Sequence, residues 1–386
     1  MTTSILVTAK GLGRLRASHP WVYRSDLGRH EGVPAGLVRL VDNDGRGLGT
    51  ALFSPHSEIR ARWLAPEGTN VDAAWWTSAV RAAAERRRGI ADTGYRVVHA
   101  EGDGLPSLIV DRYGDYAVAQ LLSAGLEAVR SEVIDAIRAV LEPKGLLLRN
   151  DAPVRTRERL ARETELAFGD VPQRAPYTEG ALTLSAAPWT GQKTGAYLDQ
   201  RENHLAVGAL GRGRCLDVFT YHGGFALPLL QGGADQVVAL DSSAEALSTL
   251  GQNMSANGLR GIVPVEASAF DWMREAAQGQ DRYDVVVLDP PAFAKDKASV
   301  ERALAGYKEL NLRAMKLLAP GGHLFTASCS FHVHRGDFYA LLAEASADSG
   351  RRMQLVEIRG AGPDHPELIT VPETGYLKAA LLRAVD

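Results

Sequence analysis

The sequence predicts an α/β protein, with a doubly wound C-terminal domain preceded by a small β-barrel and a small α+β domain. Three observations lead there. Residues 284–291, DVVVLDPP, set a β-branched apolar run before an acidic residue and two prolines. Such a run suits a strand buried on both faces, and proline prevents it from continuing within a sheet. From about residue 176 strand-like and helix-like stretches alternate, the pattern of a parallel sheet covered by helices. Residues 1–68 instead hold short apolar runs between glycine-rich turns.

Composition sets the outer bounds. The 386 residues suffice for two or three domains, and 45% hydrophobic with 23% charged residues is ordinary for a globular chain. A net charge of −3 gives no global attraction to nucleic acid, so any such surface must be local. Two cysteines, Cys215 and Cys329, are too few for a disulfide framework and too distant for a metal motif. No metal is expected. The start lacks the apolar core of a secretory signal, and no run of about 18 apolar residues occurs. The expected location is the cytoplasm.

Within residues 1–68, Asp44-Gly45 marks a turn, and Ile59 to Leu64 alternate imperfectly as a half-buried strand would. Arg14, Arg16, Arg24, Arg29, Arg39, Arg60 and Arg62 are either a solvated surface or, gathered on one face, a phosphate-binding patch. Residues 69–175 form the second domain. Trp76, Val80, Ala83 and Ala84 keep helical spacing, and Arg86, Arg87 and Arg88 stand where cations suit the helix dipole. Two strands around a turn follow in 95–122. A second amphipathic helix carries Leu126, Val129, Val133, Ile137, Val140 and Leu141, and LLLRND is a further strand. DAPVRTRERLARE (151–163) reads as a polar connection.

Residues 176–386 form the third domain. Its strands are expected at 214–219, 236–240, 261–265, 283–289, 323–328, 353–358 and 376–382, the last two as an antiparallel pair at the sheet edge. Ala244, Leu247, Leu250 and Met254 share one helix face, closed by Asn257-Gly258.

The motifs lie at strand ends. CLDVFTYHGGFALPLL places Asp217 on a strand and Gly223-Gly224 in the following turn, where glycine lets a ligand approach the backbone. The spacing is not G-x-G-x-x-G, which argues against a phosphate cradle. Asp241 follows the next strand, about 20 positions on, and suits ribose hydroxyls or an N-cap. Two acidic strand ends, a glycine turn and no phosphate loop point to a nucleoside without phosphates, of which S-adenosylmethionine is one. Phe270 after the third strand suits adenine or the core. Asp289 ends the DVVVLDPP strand and Cys329 ends the next; if these strands are neighbours, both face one cleft. An Asp side chain and a proline carbonyl suffice to methylate an exocyclic amine. C5 of a pyrimidine needs a cysteine to add first at C6, and Cys329, flanked by Ser328, Ser330 and His332, supplies one. Cys215, inside a strand, reads as a small buried hydrophobe. GQKTGAYLDQRENH (191–204) concentrates polar groups that no packing period explains.

With GQKTGAYLDQR, FTYHGGFAL, LDPPAFAK and SCS in place, and with HPWVY (19–23), SPHSEIRAR (54–62), EGDGLPSLIVDRYG (101–114), AGYKELN (305–311) and DHPELITVPETGYLKA (364–379), the chain closely resembles the RlmI-like 23S ribosomal RNA cytosine-5 methyltransferases. The resemblance covers almost the whole chain. It implies an N-terminal RNA-binding PUA domain, a central α+β domain and a Rossmann-like class I methyltransferase domain, with S-adenosylmethionine as donor. It implies Cys329 as nucleophile and Asp289 as the group steadying the cytosine near N3. The implied cofactor pocket takes in Asp217, Phe219, Tyr221, Gly223, Gly224 and Phe225, then Asp241, Ser242, Ser268, Ala269 and Phe270. It also takes in Asp289, Pro290, Tyr197 and Arg201. Its implied partner is 23S rRNA or a large-subunit precursor, and a homodimer is compatible with it. Three positions depart from the family. Ala267-Ser268 stands where an acidic residue is frequent, Phe331-His332 follows SCS in place of Gly-Leu, and Pro291-Ala292 supplies no second cysteine. The alternatives are an RNA base N-methyltransferase, for which Cys329 would be dispensable, and an rRNA-binding assembly factor that binds cofactor without turnover.

Overall fold

A computed structural model describes residues 3–294 and 296–386; Met1, Thr2 and Lys295, the last residue of LDPPAFAK, lie outside it. The chain forms two compact units. Met1–Thr178, Ala186–Leu198 and Pro363–Thr374 make the first, and Glu179–Ser185, Asp199–Gly362 and Gly375–Asp386 the second.

The first unit opens with β1 (Ser4–Leu6), α1 (Ala9–Arg16), β2 (Trp21–Tyr23), β3 (Gly36–Val41), β4 (Gly47–Phe53) and β5 (Ile59–Ala65). The sheet order is β1-β3-β4-β5-β2, and only β1 and β3 run parallel. Asp44-Gly45 does turn the chain between β3 and β4. Gly45 takes φ +76°, and the Asp42 carboxylate accepts from the N–H groups of Asp44 and Arg46. Ile5, Val7, Val22, Leu40 and Phe53 fill the core beneath.

Next, α2 (Ala73–Glu85) starts at Asp72, which caps the Trp75 N–H, and buries Trp76, Val80 and Ala83 as their spacing predicts. β6 (Gly94–His99), β7 (Leu108–Tyr113) and β8 (Tyr116–Leu121) follow. Where two strands were expected there are three, because Gly104 and Gly114 both turn the chain at positive φ. The expected second helix is likewise split into α3 (Ala124–Glu127) and α4 (Arg130–Leu141), since Val129 between them leaves helical geometry at φ −116°, ψ 26°. β9 (Gly145–Asn150), α5 (Val154–Arg157) and β10 (Glu163–Gly169) complete a sheet of order β10-β9-β8-β7-β6.

The arginines correct the sequence reading. Arg60 and Arg62 are neither solvated nor available to phosphate; both are buried. Arg62 pairs with Glu158 at 3.1 Å, and Arg60 donates to the Ser54 and Pro55 carbonyls. Arg87 does not serve the helix dipole from outside. It forks onto Asp103 at 2.6 and 2.7 Å and donates to the Asp364 carbonyl at 2.7 Å. Arg96 forks onto Asp111 at 2.7 and 2.9 Å, while its N–H meets the Asp364 carboxylate at 2.9 Å. The expected polar connection at 151–163 contains buried Arg155, which meets Glu127 at 2.8 Å. Buried charges persist only with such partners. The partners stand far off in sequence, so no local pattern reports them.

The chain passes between the units through β11 (Ala175–Glu179) and β12 (Leu182–Ala186). The second unit then alternates strand and helix: α6 (Arg201–Gly208), β13 (Gly213–Val218), α7 (Ala226–Gln231), β14 (Ala234–Asp241), α8 (Ala244–Ala256), β15 (Ile262–Glu266) and α9 (Ala269–Ala276), then β16 (Tyr283–Leu288), α10 (Val300–Leu317), β17 (Leu318–Ser328), α11 (Arg335–Ser349), β18 (Met353–Arg359) and β19 (Lys378–Ala384). All seven expected strands are present. Their order is β15-β14-β13-β16-β17-β19-β18. The first five are parallel, while β19 is antiparallel to both neighbours. Thus β18 and β19 do pair antiparallel, with β18 at the edge and β19 inserted beside β17. Val286, Leu288, Leu324, Tyr307 and Phe338 belong to the core between sheet and helices. Among the described residues no helix is long and apolar enough to cross a membrane.

Candidate active site

Strand order reverses between β13 and β16, since β14 and β15 lie on one side and β17 on the other. The loops leaving these strands diverge, which opens a crevice at the carboxyl edge. Pairing of Leu288 with Thr326 makes β16 and β17 direct neighbours. The two strand ends singled out in the sequence therefore meet: the Cys329 Sγ lies 4.0 Å from the Pro290 carbonyl oxygen. Cys329 is half-buried between buried Ser328 and Ser330. Cys215 is fully buried in β13, and burial pushes its thiol up to about 11, which makes it an inert core residue.

Asp289 is half-buried and accepts from Gln200 Nε2 at 2.8 Å. Asn203 Nδ2 donates in turn to Gln200 Oε1 at 2.6 Å, so an ordered amide chain orients the carboxylate. Asp217 sits deeper, fully buried in β13. One of its oxygens accepts from Thr220 Oγ1 at 2.6 Å. The other is buried with no hydrogen bond of sound geometry, although the Ala226 N–H faces the carboxyl. Burial pushes Asp217 up to about 7, opposed by Thr220 and His204 and assisted by Asp289. Beneath this edge His204 Nδ1 meets Glu179 Oε1 at 2.6 Å, both buried. Burial disfavours the imidazolium, but Glu179, with Asp289 and Asp217 behind it, outweighs burial and raises His204.

The turn after β13 is held open by unusual backbone. Phe219, Tyr221 and Gly223 take φ of +68°, +50° and +91°, a region costly for the first two. Asp241 stabilises the turn from the end of β14. Its two oxygens accept from the N–H groups of Tyr221 and Ser243, each at 2.9 Å. The helix cap expected of Asp241 belongs instead to Ser243, whose hydroxyl takes the Ala246 N–H. The glycines have a reason in packing. A Cβ on Gly223 would come within 2.3 Å of Leu250, and one on Gly224 within 2.7 Å of the His204 ring. Phe225 meets His204 edge-on at 4.4 Å and Phe325 at 5.0 Å.

Ser242 and Ser268 are exposed, Ala269 is buried at the start of α9, and Phe270 is half-buried against Phe293 at 5.9 Å. Phe270 thus belongs to the rim of the core. Arg201 is buried at the start of α6 and pairs with Glu202 at 3.0 Å. Tyr197 falls in the first unit, with Lys193 Nζ 4.6 Å from its ring centre. In the sequence Gln200 is one of several polar residues, and no local pattern marks His204, Glu179, Thr220 or Lys378. The excess of polar groups in 191–204 was the one signal available for the first two.

The edge offers carboxylates, backbone N–H groups and a thiol. Asp241 is half-exposed and retains a lone pair on each oxygen for hydroxyl donors. Asp217 adds a buried acceptor that lacks a well-formed bond. This set suits a positively charged nucleoside such as S-adenosylmethionine. In the first unit, Lys10, Arg14, Arg24, Arg29 and His30 line one open groove with Glu31 and Glu58.

Comparisons with known proteins agree with this chemistry. Residues 5–66 match the PUA-like domain family and residues 165–383 the S-adenosylmethionine-dependent methyltransferase family. The chain is 37% identical over 396 residues to the ribosomal RNA large subunit methyltransferase I of Aeromonas hydrophila subsp. hydrophila, with 100% of both chains covered. It is 37% identical over 404 residues to the protein of that name from Klebsiella pneumoniae subsp. pneumoniae, again over 100% of both. Among solved structures, a methyltransferase complexed with SAH superimposes with a TM-score of 0.85 at 19% identity, over 99% of this chain and 100% of the other. A SAM-dependent methyltransferase from Streptococcus mutans gives 0.83 at 18% identity, with the same coverage. At such identities these two establish the fold.

Proposed function

The chain belongs to the ribosomal RNA large subunit methyltransferase I family of S-adenosylmethionine-dependent enzymes, and from that premise we propose that it forms 5-methylcytidine in 23S rRNA through a covalent cysteine adduct. One observation carries the reading: Asp289 and Cys329 end adjacent parallel strands, and the thiol lies beside the carbonyl of Pro290.

Bound S-adenosylmethionine supplies an electrophilic methyl group. Asp241 would hold its ribose hydroxyls, and the 219–225 turn with Asp217 its methionine end. Ser242, Ser268, Ala269 and Phe270 would border the adenine. Arg201, in the same unit, completes the proposed set. The chain's own residues do the remainder. Cys329 thiolate forms a bond to C6, and the C5–C6 π pair becomes available at C5. Asp289, steadied by Gln200, holds the N3 edge of the ring. After methylation the C5 proton passes to solvent water, the C5–H electron pair restores the double bond, and the C6–S pair leaves with the Cys329 thiolate. The target base must be unstacked to reach this edge. Phe331 is half-exposed two residues beyond Cys329, with the His332 ring 5.2 Å away, and offers a face for that base.

RNA affinity is assigned to the PUA-like domain, residues 1–68, and the central domain, residues 69–175. The basic groove of Lys10, Arg14, Arg24 and Arg29 is suited to phosphates, and binding through it weakens with salt. The cytoplasm is the proposed location. A test is methyl transfer from labelled S-adenosylmethionine to unmodified 23S rRNA and to large-subunit particles, followed by nucleoside digestion. The label is expected in 5-methylcytidine, lost in Cys329→Ala while cofactor binding persists. Label in a methylated purine nucleoside, or full activity of Cys329→Ala, would sink the covalent reading.

A further inference from the structure

Lys378 is the first residue of β19 and is 3% exposed. Its cross-strand partner is Ser328, the residue before Cys329. The ammonium donates to the Ser330 carbonyl at 2.7 Å and the Tyr376 carbonyl at 2.8 Å. It therefore grips the backbone on the far side of Cys329 while its own strand pairs with the near side. Neither partner carries charge, and among the described residues no carboxylate pairs with this lysine. A buried cation without a counter-charge is costly, and two carbonyl dipoles only partly offset that.

The groups facing this point come from four elements. Cys329 ends β17. Tyr307 of α10 reaches in with its hydroxyl 2.9 Å from Ser330 Oγ. Arg335 begins α11. Pro290, whose carbonyl oxygen lies 4.0 Å from the Cys329 Sγ, follows β16. Burial pushes Lys378 down to about 8, while Cys329 acts in the opposite direction and Arg335 adds to the fall. Tyr307 is raised, chiefly by burial, with Cys329 adding to the rise. The Cys329 thiol is thus an anion-forming neighbour that favours a charged Lys378.

We propose that Lys378 is a positioning residue whose ammonium is the counter-charge for the Cys329 thiolate, and that its two carbonyl bonds fix the 328–330 backbone on which the thiolate stands. This rests on the covalent reading above. The thiol proton passes to solvent and Lys378 keeps its own. The S–C6 bond then forms from a thiolate already present, and elimination returns the same ion pair. Attraction is mutual, so a cation here favours the thiolate as much as the thiolate favours the cation.

The test is the pH profile of Cys329 alkylation by iodoacetamide on the full chain without RNA, read by peptide mass spectrometry so that Cys215 is scored separately. Lys378→Gln keeps a donor for the carbonyls and removes the charge; Lys378→Arg keeps the charge. The wild-type midpoint is expected below the ordinary cysteine value of about 8.5. Lys378→Gln should raise it by about one pH unit or more, and Lys378→Arg should leave it near wild type. A Lys378→Gln profile superimposed on wild type, in a protein that still binds S-adenosylhomocysteine, would overturn the proposal and leave Lys378 a structural residue. Alkylation needs no substrate, so this failure is distinct from that of the covalent reading, which Cys329→Ala decides by methyl transfer.

Discussion

Replacing Asp217 with Asn tests the electrostatics of the cofactor edge. Asp217 is fully buried, and its carboxyl is pushed from the ordinary 3.8 up to about 7. The sign follows from linkage. The folded state holds the proton more tightly than the unfolded state, so stability is greatest at low pH and is lost as pH rises from about 4 to about 7. Three pH units correspond to about 4 kcal/mol above pH 7, of which only about 1.5 kcal/mol is already lost at pH 5. Asn keeps the acceptor for Thr220 and never ionises. Asp217→Asn should therefore gain about 2–3 kcal/mol relative to wild type on going from pH 5 to pH 8. The assay is urea unfolding of the full chain at both pH values, with and without S-adenosylhomocysteine. The transition that moves with ligand reports this unit. An Asn-versus-Asp difference that is the same at pH 5 and pH 8 would refute the argument. Weaker cofactor binding by the stabilised variant would mark Asp217 as a site that sacrifices stability for its ligand.

Three further outcomes follow from the geometry. Gly224→Ala drives a Cβ to 2.7 Å from the His204 ring and should destabilise by about 1–3 kcal/mol; in a His204→Ala background the same change should be nearly neutral, as a double-mutant cycle would show. Gln200→Ala removes the donor that orients Asp289, so single-turnover methyl transfer should slow about tenfold or more, while calorimetry finds cofactor affinity within about threefold of wild type. Glu158→Gln breaks the buried pair with Arg62 and should lower stability by about 3–5 kcal/mol, seen as a lower thermal midpoint. Burial works against the Glu158 carboxylate, but Arg62 and the hydrogen bonds around it hold it below the usual range, so this deficit shrinks as pH falls through the folded-state value.

The strand ending in Asp289 announced itself, because an apolar β-branched run stopped by two prolines has few other uses. The strand ending in Cys329 was visible for the same reason. Their adjacency was conditional in the sequence and became definite only with the pairing of Leu288 and Thr326. The buried arginines were illegible. Arg62 looks like any charged strand residue until Glu158, 96 positions away, is brought beside it. Asp241 was legible as a strand-end acid but not in its local role, since Ser243 and Asp241 are equally good caps on paper. Lys378 was hidden in a strand pattern. Nothing in KAALLRA says that its first residue turns inward to hold the Ser330 carbonyl. Periodicity reports which elements form. The partners of buried charges depend on where distant segments meet.

Asp364, which receives Arg87 and Arg96, lies in a short excursion, Pro363–Thr374, that the chain makes back into the first unit before returning to supply β19. Ala186–Leu198 makes a similar excursion earlier. The two units are therefore stitched, not strung in series. A single cut near residue 178 would strip the N-terminal fragment of the Asp364 that its buried arginines require, and would leave the other fragment carrying two loops with no home. Neither unit is therefore one continuous stretch of sequence, and separating them takes several cuts rather than one.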